Sequence, residues 1–130
     1  MTILVGMDGS NASKEALNIA KKHAKAFNTD VIIVTSMAGG NETQSDDVEK
    51  ANEDLAYAKK YFADAGIQCS TKMLVRGLSP GEDIVSYGKE KNVEEIIIGI
   101  KRHSKVGKLL FGSNAQHIIL NASCPVVTVQ

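Results

Sequence analysis

Four short runs of aliphatic and β-branched residues punctuate this chain: Ile3-Leu4-Val5, Val31-Ile32-Ile33-Val34, Ile96-Ile97-Ile98 and Val126-Val127-Thr128-Val129. None alternates with polar residues, as a strand with one wet face would. Uninterrupted apolar runs of this length suit strands covered on both faces, and sheets covered on both faces are parallel, with helices as crossovers. A fifth segment, Ile67 to Val75, does alternate, with Ser70 and Lys72 set among Cys69, Thr71 and Met73. Half-polar character belongs at a sheet edge.

Helical periods fill the intervals. After the first strand comes Gly6-Met7-Asp8-Gly9, with Ser10 or Asn11 as a cap, and then Ala16, Leu17, Ala20, Ala24 and Phe27 on one stripe. After the second strand, Gly39-Gly40 and small polar residues make a loop. Ser45-Asp46-Asp47 then opens a long helix whose inward positions are Val48, Ala51, Leu55, Ala58, Phe62 and Ala65, with Gly66 past its end. Its acids Asp46, Asp47, Glu49, Glu53 and Asp54 lack a calcium-loop spacing and read as a solvated face. Ser79-Pro80 starts a third helix with Ile84, Val85, Tyr87 and Gly88 inward, ending at Asn92. Residues Ser113 to Asn121 form a fourth, burying Ala115, Ile118 and Ile119, with Ala122 just beyond.

Strand and helix thus alternate four times before a last strand. Right-handed crossovers then predict one α/β domain over 1–130, doubly wound. It has a five-stranded parallel sheet of order 3-2-1-4-5 and two helices on each face. In that order the winding reverses between the first and fourth strands, where ligands of open α/β sheets bind at the carboxyl ends.

Composition narrows the function. Fifteen basic residues balance fifteen acidic ones, so no surplus exists to displace counterions along a nucleic acid. No apolar run approaches membrane-spanning length, and no signal-peptide pattern is present. Cys69 and Cys124 have no metal spacing and read as reduced packing residues of a cytoplasmic protein.

Charge is concentrated in one place. Five of the eight residues from Lys101 to Lys108 are Lys, Arg or His, between Gly99 and Gly112-Ser113. The second pair precedes a helix, whose free N–H groups and dipole favour an anion. A phosphate-binding loop is the reading. It is neither a dinucleotide fingerprint, since no G-x-G-x-x-G follows the first strand, nor a P-loop, since Arg102 and Leu109 break that pattern. Serine-hydrolase and zinc patterns are lacking too.

Glycine, two residues, a second position, nine residues and then Gly-Ser is the spacing of Gly99, Arg102 and Gly112-Ser113. With Ile3-Leu4-Val5-Gly6-Met7-Asp8-Gly9-Ser10, Val75-Arg76-Gly77 and Cys124-Pro125-Val126-Val127, it resembles the universal stress protein family along nearly the whole chain. Two departures stand out: Arg102 replaces the second motif glycine, and Glu95 stands where the fourth strand is usually apolar. The resemblance implies ATP as ligand, with magnesium or with ADP or AMP in its place. Asp8 would meet the ribose or base and the Gly6-Met7 backbone would border the base. Ser36 would line the adenine pocket, Gly99 would pass close to sugar and phosphates, and Gly112, Ser113 and the Asn114 N–H would hold phosphate. The sequence itself adds Arg102, His103, Ser104 and Lys108 as charge and donors in place of the lost glycine. Each residue has a plainer role beside this one. Asp8 could close a turn, Gly112-Ser113 could merely start a helix, Arg102 could be solvated, and His23 and His117 read as helix-surface residues.

The expectation is a cytoplasmic stress-response protein that binds nucleotide as a homodimer through residues 126–129, with no nucleic-acid or membrane partner and no efficient enzymatic activity; slow ATP hydrolysis stays open. Its rival is a protein-interaction module of the same fold with a lapsed phosphate loop.

Overall fold

The computed structural model describes residues 1–37, 45–100 and 112–130. Its elements are β1 (Thr2–Gly6), α1 (Asn11–Phe27), β2 (Asp30–Met37), α2 (Ser45–Asp64), β3 (Cys69–Val75), α3 (Pro80–Glu90), β4 (Glu95–Gly99), α4 (Ser113–Asn121) and β5 (Val126–Val129). The five strands form one sheet of order β3-β2-β1-β4-β5, and every pairing is parallel. The expected architecture is therefore the observed one.

Side-chain alternation along the strands makes two cores. Ile3, Val5, Val31, Ile33 and Ile97 point to α1 and α2, meeting Leu17, Ala20, Leu55 and Phe62. Leu4, Val34, Ile96 and Ile98 point the other way, to Ile84, Val85 and Tyr87 of α3 and Ile118 of α4. Central β1 is sealed on both faces, with Ile3, Leu4 and Val5 wholly buried, while β3 alternates inward and outward as an edge strand does.

Local chemistry sets the boundaries. Ser10 caps α1, its hydroxyl accepting the Ser13 N–H at 3.1 Å. Asn28 ends that helix in the left-handed region. Ser79 caps α3, with Pro80 in the first turn. Gly66 turns the chain beyond α2 at φ +73°, and β3 begins at Cys69, two residues after the expected start, because Ile67 is still held by the Phe62 carbonyl.

Two inward assignments and one surface assignment are corrected. Phe27 is half-exposed at the last turn of α1 and leans on the His23 ring instead. Ile119 lies outside the core on α4, whose fully buried residue is Ile118 alone. His23, read as a surface residue, bonds Glu95 Oε1 through Nδ1 at 2.7 Å. That contact accounts for an acid at the head of an otherwise apolar strand.

Candidate functional site

Beyond the carboxyl ends of β1, β2 and β4 lies an open cleft of about 710 Å³, within the size range of small-molecule sites. Gly6, Met7, Asp8, Ser36, Gly99, Gly112, Ser113 and Asn114 all line it. Arg102, His103, Ser104 and Lys108 lie outside the described residues, as does the rest of 101–111.

The β1 side is built on backbone. Met7 donates its N–H to Val34 O at 2.8 Å, and its carbonyl accepts the Thr35 hydroxyl at 3.0 Å. Those two bonds carry the chain past the end of the sheet and deliver Asp8 to the rim. There Asp8 Oδ1 accepts the Ser10 N–H at 2.9 Å, so turn closure accounts for one carboxylate oxygen of this exposed residue.

The α4 side is different. Gly112 occupies the cap position with extended backbone and no side-chain cap bond. Among the described residues nothing lies within 4 Å of where its Cβ would be. The first N–H groups of α4 are therefore not satisfied by a cap side chain and stand at the cleft, the arrangement that favours an anion. The Asn114 side-chain oxygen is taken, since Oδ1 accepts the Gly81 N–H at 2.9 Å. This bond fixes the first turn of α4 beside that of α3. Gly81 is needed there: a Cβ would stand 2.9 Å from Asn114 O.

Gly99 has a packing duty. A Cβ on it would come within 2.4–2.6 Å of the Ala12 and Ser13 backbone, so glycine is what lets α1 start against the end of β4.

Two parts of the site were not foreseen. One is α2, which brings Asp47, Lys50, Ala51 and Asp54 to the rim, so the acids read as a solvated face partly border the cleft. The other lies beneath Ser36. Ser36 Oγ donates to Asp83 Oδ2 at 2.7 Å, and Asp83, in the first turn of α3, is fully buried. Its other oxygen accepts Arg76 Nε–H at 2.6 Å, while Arg76 also reaches Glu90 at 2.9 Å. The hydrogen bond to Asp83 is the main reason the Arg76 guanidinium holds its proton even more firmly than usual. A sequence signal existed, since Asp83 stands four residues before Tyr87 on the apolar stripe of α3, with Arg76 just upstream to neutralise it.

Burial pushes the Cys69 thiol up to about 11 and raises Cys124 too, with Glu95 adding to the effect. Both are free and poorly nucleophilic. Among the described residues no cluster of three or more His, Cys, Asp or Glu could hold a metal ion, and no helix is long and apolar enough to cross a membrane.

A doubly wound parallel sheet with a cleft at its switch point, bordered by an uncapped helix start, defines a class of α/β ligand-binding domain. Within that class the chain belongs to the universal stress protein family, whose profile it matches over residues 1–130. It is 31% identical to a universal stress protein of Methanocaldococcus jannaschii, across 98% of this chain and 81% of that one. A solved universal stress protein of Archaeoglobus fulgidus superposes with a TM-score of 0.92 at 35% identity, covering 100% and 98% of the two chains. The structure of the Archaeoglobus fulgidus protein in complex with dAMP gives 0.86 at 32% identity, with the same coverage.

Proposed function

We propose that this protein binds an adenine nucleotide, ATP foremost, in the cleft between β1 and β4. On this reading it serves a cytoplasmic stress response as a homodimeric binding or regulatory protein rather than an efficient enzyme. The observation that carries the reading is the start of α4, which has no side-chain cap bond among the described residues and lines, together with the Asp8 turn, a switch-point cleft of nucleotide size. The dAMP held by the related Archaeoglobus fulgidus protein supports an adenine nucleotide in particular.

In this arrangement α4 binds phosphate through the N–H groups of Ser113 and Asn114 and the Ser113 hydroxyl. The Gly6-Met7 backbone borders the base, and Asp8 takes the sugar hydroxyls. Arg102, His103, Ser104 and Lys108 add positive charge and donors toward the outer phosphates, an inference from sequence alone. A magnesium ion would be held chiefly by those phosphates.

Denaturing freshly purified protein and identifying any released nucleotide by mass and absorbance tests the proposal directly. Stoichiometric adenine nucleotide is expected; protein that carries none and gives no titration with ATP, ADP or AMP refutes it. Asp8 supplies the sharper check. A hydrogen bond to a charged group contributes about 1.5–3 kcal/mol, so Asp8→Ala should weaken ATP roughly tenfold to a hundredfold. Unchanged affinity in a folded variant would remove Asp8 from the site.

A further inference from the structure

The end of β2 presents two hydroxyls to the cleft, and both have their single proton turned away from it. Thr35 donates to the Met7 carbonyl at 3.0 Å. Ser36 donates to Asp83 Oδ2 at 2.7 Å. A serine or threonine hydroxyl has one hydrogen and two acceptor lone pairs. Once the hydrogen is committed, the oxygen can only accept from anything that enters the cleft.

For Ser36 that commitment is enforced from behind. Asp83 is wholly buried, and both of its carboxylate oxygens accept hydrogen bonds. Arg76 Nε donates to Oδ1 at 2.6 Å, and Arg76 Nη2 donates to the Asp83 main-chain carbonyl at 3.3 Å. A guanidinium only donates, so it pairs with the carboxylate through Oδ1 and leaves Oδ2 for the serine. If Ser36 swung its proton into the cleft, it would strand a buried charged oxygen, which is costly.

We propose that Ser36 is a base-selecting residue of the cleft, its hydroxyl fixed by Asp83 and Arg76 as a hydrogen-bond acceptor. It therefore admits a purine edge carrying an amino group and disfavours one carrying a carbonyl. The proposal rests on the nucleotide reading above and adds to it a choice among nucleotides. Asp83 and Arg76 are positioning residues, because they act on the ligand only through Ser36. Thr35 reinforces the same polarity, since its own hydrogen goes to the loop that carries Asp8.

AMP and IMP are the probes, because they differ in the purine ring only at the amino or carbonyl edge. Titrating each into wild-type protein should give AMP an advantage of about tenfold or more, the penalty for setting two acceptors against each other in a partly buried site. Ser36→Ala removes the acceptor and should shrink that advantage to within about threefold.

Asp83→Asn makes a stronger demand. Arg76 still needs an acceptor, so the asparagine oxygen must face it, and the NH2 group then faces Ser36. The serine proton is released toward the cleft, and the preference should vanish or invert toward IMP. A purely structural role for Asp83 would weaken both nucleotides alike and leave their ratio alone. Should Asp83→Asn fail to fold, Ser36→Ala decides by itself. Equal binding of AMP and IMP by the wild type overturns the proposal, as does a wild-type ratio kept by either folded variant. In both cases nucleotide binding itself survives. Failure of the wild type to bind AMP and IMP overturns the selection, and failure to bind ATP and ADP as well removes the proposed function with it.

Discussion

Gly99 separates what a motif residue does for a ligand from what it does for the fold. The nearest atoms to a Cβ there are the Ala12 carbonyl carbon at 2.4 Å, Ser13 N at 2.5 Å and Ala12 O at 2.6 Å. All are backbone, so relief would require the first turn of α1 to move as a unit. Overpacking of this kind costs about 1–3 kcal/mol. Gly99→Ala should accordingly lower the denaturant midpoint with little change in slope, whether or not nucleotide is present. A variant as stable as wild type would mean that α1 yields without cost. Gly112, by contrast, meets no described residue within 4 Å of where its Cβ would be, so its lack of a side chain bears on what approaches α4 from the cleft. The same motif thus holds one glycine required by packing and one that leaves a helix start accessible. Spacing along the sequence cannot tell these apart, because the clash at Gly99 comes from residues almost ninety positions earlier in the chain.

At the scale of elements, the apolar runs announced β1, β2, β4 and β5, and the alternation of Ile67–Val75 announced an edge. Each of those signals is local, which is why they were legible. Pairings between distant side chains were not. His23 and Glu95 lie 72 positions apart, and neither helical nor strand periodicity says that one will neutralise the other. Phe27 and Ile119 fit their helical stripes yet sit where the stripe has run past the sheet. The candidate site divides in the same way. Its glycine turns and helix start were readable, while the α2 rim and the Ser36–Asp83–Arg76 chain needed the packing of α2 and α3 against the sheet. Asn114 joins two elements across this divide, since its Oδ1 accepts the Gly81 N–H and so caps a donor in the first turn of α3 from the start of α4. Asn114→Ala should cost about 1 kcal/mol, as the loss of a capping acceptor does. Because the bond also sets where α4 begins, phosphate affinity should fall with it. Amide exchange at Gly81 and an ATP titration together check this; exchange at the wild-type rate would show that the bond does not hold the two helix starts together.

For the whole molecule the open question is the edge made by β5, and the ladder itself says how to test it. Ile96 N–H donates to Pro125 O at 3.0 Å and Ile100 N–H donates to Val129 O at 2.7 Å. Main-chain groups of a strand alternate sides, so Val127 also faces β4, whereas Val126 and Thr128 turn their N–H and C=O groups outward. An edge strand with no lysine and no proline within Val126–Val129 is a template for pairing. In the proposed homodimer a second copy of β5 satisfies it, antiparallel about a two-fold axis. Proline tests this only at the right residue. At Val127 it would remove a bond to β4 and weaken each protomer, confusing dissociation with unfolding. At Thr128, which is exposed, the lost N–H is one that points away from β4, the position where edge strands tolerate proline. Thr128→Pro should therefore leave the thermal transition of the monomer close to that of wild type and move the sedimenting species from dimer toward monomer. Wild-type protein that sediments as a monomer at high micromolar concentration would end the proposal. So would a Thr128→Pro variant that stays fully dimeric, since the partner would then be held by some other surface.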